Sequence, residues 1–148
     1  MVSKDDYLVA LSQLGFYKEK QSRTDGSHIR FHHKQYERVI TGIDDHKNTK
    51  EMKPRVHKDL INAMSLILWL ECKDENGNVD FEKVNKLIQK LNNELKSGIL
   101  KNLKKFKENR PGLLSQIVPK KLLSEVDKVY GDMTEESILN YIQNEKTD

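Results

Sequence analysis

Three of the five histidines in this 148-residue chain fall within His28-Ile29-Arg30-Phe31-His32-His33. The alternation puts His28, Arg30 and His32 on one side of an extended segment and Ile29, Phe31 and His33 on the other. Imidazole is the side chain whose ordinary titration lies nearest neutrality. Cleaving RNA without a metal needs such a base to take the 2′-hydroxyl proton, and cations to hold the charge of the pentavalent phosphorane. His28 suits the base, with Arg30 and His32 beside it. Two other readings fit the same pattern: His28 contacts a ligand without catalysing anything, or the three residues are the solvated face of a sheet. His33, on the apolar side, reads as a core or rim histidine. His46 and Lys53 lie in the polar run Asp44–Lys53 that precedes Pro54. Cations near a helix N-terminus attract phosphate, and plain loop solvation explains the two residues equally well.

Other chemistries find less support. His28, His32, His33 and His46 lack the spacing of a zinc site and have no cysteine partner, so no metal is expected. Cys72 is the single cysteine, which excludes an internal disulfide and reads as an inert core thiol. The stretch Cys72–Lys83 resembles a calcium loop in its centre, Asp74-Glu75-Asn76-Gly77-Asn78-Val79-Asp80. Its ends are wrong for calcium: a cysteine stands at the first ligand position and a lysine at the last, where a bidentate glutamate belongs. A helix-loop-helix turn is the better reading. Lys101–Arg110 is a dense basic run, either the wet side of an amphipathic helix or a contact for nucleic acid or an acidic protein.

The elements that must position these residues follow from periodicity. Ser3 and Asp6 form a capping-box pattern, Tyr7, Leu8, Leu11 and Leu14 recur at helical spacing, and Gly15 supplies the stop. Between Phe16 and Ile43 the period becomes that of strands, with Thr24-Asp25-Gly26 as the first turn and Lys34-Gln35 as a tight second one. Asp44 to Lys53 reads as loop, and Pro54 opens a helix to about Lys73. Its later part, Ala63–Leu70, is apolar nearly all round, which requires a second packing partner beyond one sheet face. Phe81 to Phe106 predicts a long amphipathic helix that Gly98 divides, Pro119–Tyr130 another, and Thr134 the cap of a last one. The expected class is α+β: an α-β-β-β-α unit over 1–73, then an all-helical region over 78–148 packed on it. A net charge of +3 gives only a mild preference for acidic partners. With no apolar run of about 18 residues and no signal-peptide pattern, a cytoplasmic protein without a membrane partner is expected.

Leu14-Gly15-Phe16, Gly26-Ser27-His28 and Lys50-Glu51-Met52-Lys53-Pro54 with His46 ahead of it stand in this order over about two-fifths of the chain. Together they resemble the HicA family of messenger-RNA interferase toxins. The resemblance implies a double-stranded-RNA-binding-like fold and a metal-independent endoribonuclease acting on single-stranded or messenger RNA. It implies His28 as catalytic residue, no cofactor, and a cognate antitoxin as protein partner. Ser27, Arg30, His32, His46 and Lys53 are then the expected substrate contacts. The chain departs from the family at Arg55-Val56, where glycine-threonine is usual, and at Ile29, where a second histidine is usual. The first change alters a helix start that would face phosphate. Residues 74–148 have no counterpart in the resemblance. A competing function is therefore a non-catalytic interaction protein, such as a phage- or mobile-element-type inhibitor, which uses the same scaffold to bind a protein. In a third reading the C-terminal helices act as a built-in antitoxin.

Overall fold

The computed structural model describes residues 2–20, 28–44, 52–105 and 113–143. Helix α1, Lys4–Gln13, begins at the expected capping box: the Asp6 amide donates to Ser3 Oγ at 3.1 Å and the Ser3 amide donates to Asp6 Oδ2 at 2.9 Å. Gly15 ends it in the left-handed region at φ 92°. Strands β1 (Phe16–Lys18), β2 (His28–His33) and β3 (Ile40–Asp44) form an antiparallel sheet in that order. Helix α2 then runs Pro54–Cys72 with proline in its first turn. The expected turn at Thr24–Gly26 lies outside the described residues.

One side of the sheet faces the core. Phe31, Val39, Thr41 and Ile43 are buried, Ile29 packs against them, and Leu11, Leu14, Leu60 and Met64 complete the same cluster. The alternation expected for β2 and β3 is therefore present, and the opposite side carries His28, Arg30 and His32. The second connection differs from the expected tight turn. His32 pairs with Ile40, so the chain needs residues 34–39 to return, and it builds them around His33. The Nδ1 atom of His33 accepts from the amides of Gln35 and Tyr36 at 3.1 and 3.3 Å, while the Val39 amide donates to the Tyr36 carbonyl at 2.8 Å.

The apolar part of α2 is buried from Ala63 to Leu70, and its second partner is the C-terminal half. Helices α3 (Phe81–Ile88), α4 (Asn93–Lys105), α5 (Leu113–Ile117), α6 (Lys120–Tyr130) and α7 (Glu135–Gln143) make up that half. Helix α2 packs on β3, α3, α4 and α5, so one continuous core serves sheet and helices. The break expected at Gly98 falls instead between α3 and α4, where the Asn92 side chain accepts from the Glu94 amide at 2.8 Å and starts a new helix. Gly98 lies inside α4 and brings it close to α2: a Cβ there would stand 3.2 Å from Ile61 Cδ1. Helix α5 was not expected. No helix among the described residues is long and apolar enough to cross a membrane.

Candidate active site on the outer face of the sheet

His28 opens β2 directly across from Asp44, the last residue of β3. Cross-strand partners share a face, and the two side chains meet: His28 Nδ1 lies 2.8 Å from Asp44 Oδ1. The imidazole is 60% exposed whereas the carboxylate is 6% exposed. The two groups are within ion-pair distance, although Asp44 Oδ1 makes no hydrogen bond of good geometry among the described residues. Asp44, read from the sequence as the start of a loop, belongs to the strand and to the site. Nothing in its local sequence marks it, because its role depends on the pairing register.

A carboxylate hydrogen-bonded to Nδ1 would place the ring proton there and turn Nε2 toward a substrate, the arrangement of general-base histidines in acyl- and phosphoryl-transfer sites, and Asp44 stands where it could serve. Arg30 follows two residues on, roughly 6.6 Å along the strand at about 3.3 Å per residue. A guanidinium there reaches a phosphate held at His28. His32 is four residues away, roughly 13 Å on the same rise. That distance is too great for it to protonate the leaving group of a reaction centred on His28.

Arg30 and His32 share a carboxylate. Glu19 Oε2 lies 3.7 Å from Arg30 Nε and Glu19 Oε1 3.6 Å from His32 Nε2, while His32 Nδ1 is 3.1 Å from the Glu37 carbonyl. Tyr17, partly exposed, stacks on the His32 ring at 5.9 Å between centroids. No side chain stands across from Arg30 on β3, because Gly42 is its partner there. A Cβ at Gly42 would come within 3.0 Å of the Ile29 carbonyl oxygen. Neither a protein-family model, nor a curated protein, nor a solved structure matches the chain.

Of the expected substrate contacts, the sheet brings Arg30 and His32 to the face of His28, whereas Lys53 stands outside the sheet at the start of α2. Lys53 is exposed and N-caps α2 without a side-chain cap bond. Ser27 and His46 lie outside the described residues. His33 occupies the structural role expected of it. It is buried, its Nε2–H donates to the Leu14 carbonyl at 2.7 Å, and its ring lies edge-on to Phe16 and stacked on Tyr36. The Cys72–Lys83 segment folds as a turn. Asp74 accepts from the amides of Asn76 and Asn78 at 2.9 Å each, and Lys83 Nζ donates to the Glu71 carbonyl at 3.0 Å. Burial pushes the Cys72 thiol up, which disfavours the reactive thiolate.

Proposed function

We propose that this chain is an RNA-binding protein of HicA type, a metal-independent endoribonuclease or a derivative of one, working on the outer face of its sheet. The observation that carries the reading is the exposed His28 imidazole set 2.8 Å from the buried Asp44 carboxylate. The order α1-β1-β2-β3-α2, with both helices on one side of a three-stranded meander, supports a double-stranded-RNA-binding-like unit. In this reading His28 Nε2 takes the 2′-hydroxyl proton and the 2′-oxygen forms a bond to the adjacent phosphorus. The bond from phosphorus to the 5′-oxygen breaks, giving a 2′,3′-cyclic phosphate and a 5′-hydroxyl that takes its proton from water. Arg30 holds charge on the non-bridging oxygens, and Lys53 supplies a more distant phosphate contact.

Incubating the full chain with single-stranded RNA in EDTA tests the reading. Cleavage should persist in EDTA, end in 2′,3′-cyclic phosphates, and fall about 10²–10⁴-fold in His28→Ala. Cleavage that survives His28→Ala or that EDTA abolishes rejects it.

One observation favours the non-catalytic reading. Glu19 stands against both Arg30 and His32 and offsets the cations that would attract an anion. A wild-type chain that cuts no RNA and binds a protein tightly through this face decides for that alternative.

A further inference from the structure

The C-terminal helices border the outer face. Arg38 Nη1 donates to the Tyr141 carbonyl at 2.7 Å, and its guanidinium lies 4.2 Å over the Tyr141 ring, joining the loop before β3 to α7. Beside this joint a cavity of about 320 Å³ opens between Arg30 and Ile40 of the sheet and Leu122 and Tyr141 of the helices. We propose that this cavity is a nucleotide subsite that takes the base neighbouring the phosphate at His28, and that it prefers bases carrying an exocyclic amino group. The proposal rests on the ribonuclease reading for the word neighbouring.

Three features lead to a nucleotide. The volume suits one small ligand and no folded partner. The walls combine apolar surface from Ile40, Leu122 and Pro119 with a tyrosine ring and with Arg30, Arg38 and Lys121, which is the pairing of stacking surface and cation that single-stranded nucleic acid uses. The cavity is also continuous with the candidate active site, since Arg30 lines it and stands roughly 6.6 Å along β2 from His28. The base preference comes from Glu37 and Glu125, which also line the cavity. Carboxylates accept from the amino groups of adenine, guanine and cytosine, whereas uracil carries a carbonyl oxygen where cytosine has its amino group and offers only the N3–H beside it.

Titrating the full chain with AMP, CMP and UMP, followed by amide NMR, tests this. AMP and CMP should saturate with shifts at Ile40, Leu122 and Tyr141, and UMP should bind about tenfold more weakly. Lys121 is exposed, and Lys121→Glu should weaken AMP about threefold or more without unfolding the chain. No saturation, shifts confined to other elements, or equal binding of UMP overturns the subsite. RNA cleavage assayed on the same samples separates the two proposals. Amino-base binding without cleavage retires the ribonuclease and keeps the nucleotide site, whereas cleavage without nucleotide binding does the reverse.

Discussion

At the scale of single residues, Asp44 stands out because a carboxylate that is 6% exposed is poorly solvated and must be held by something else. Its Oδ1 lies 2.8 Å from His28 Nδ1 yet makes no hydrogen bond of good geometry among the described residues, so a neutral side chain of the same shape should suit the fold as well or better. Asp44→Asn is accordingly expected to leave thermal stability unchanged or raised while cleavage falls roughly 10²–10⁴-fold, because the amide can no longer fix the His28 proton on Nδ1. A variant that cleaves as well as the wild type removes Asp44 from the site. The strand alternation exposes His28 to a sequence reader, but Asp44 is hidden behind a second aspartate and a polar run. Only the length of the 34–39 connection, set by the hydrogen bonds of His33, decides which residue of β3 meets His28. Gly15 is the opposite case, legible as a helix stop yet doing more than stopping. Its φ is 92°, and a Cβ there would meet His33 Nε2 at 2.8 Å. Gly15→Ala therefore combines left-handed strain of about 1–2 kcal/mol with displacement of the ring around which the loop is built. Denaturant unfolding should show a loss of at least 2 kcal/mol, and a smaller loss would mean that His33 moves easily.

Helices and strands were readable where one face is apolar and the other wet, as in α1, β2, β3 and α6. They were less readable where side-chain contacts decide between two continuations of a helix. Gly98 is the stronger helix breaker by propensity, yet the chain breaks at Asn92. Asn92 caps α4 and also donates to Asp6 Oδ2 at 3.1 Å, tying the α3–α4 joint to the start of α1. Such a contact joins residues 86 positions apart and leaves no local trace. The end of α2 carries a comparable junction. Glu71 Oε1 lies 3.9 Å from His33 Nε2, and the Lys83 ammonium binds its carbonyl. Burial raises the Glu71 carboxyl above its ordinary 4.5, and Lys83 only partly offsets this. The folded state then binds the proton more tightly than the unfolded chain. Stability falls as pH rises from the ordinary value through the raised one, and the penalty is complete above it. Glu71→Gln should thus raise the melting temperature at pH 7, with the gain fading as pH is lowered toward 4.5. A gain that grows on acidification contradicts this account.

For the whole molecule, the question is whether residues 74–148 are an annex to a small sheet domain or part of its core. The apolar circumference of α2 already demanded a second partner, and α4 provides it. Asn102 Nδ2 donates to Asn62 Oδ1 at 3.0 Å and to Ser65 Oγ at 3.2 Å, and Ile61 packs against Gly98. Leu68 and Trp69 continue this stripe at helical spacing, and Ile61, Leu68 and Trp69 are 6%, 0% and 3% exposed. Returning three such side chains to water costs about 1.5–3 kcal/mol each, roughly 5–9 kcal/mol in all. A domain of this kind is stable by about 5–15 kcal/mol in total. The fragment 1–73 is therefore expected to lack a cooperative thermal transition and dispersed amide resonances, although it contains every element of the α-β-β-β-α unit. A sharp melt of that fragment would show that the sheet and its two helices suffice. If it does not fold, deleting the C-terminal helices cannot reveal whether they restrain the His28 face, because loss of activity would report loss of the core. Point changes on the intact chain, at Asp44 and Lys121, then become the means of separating catalysis from the contribution of the helices.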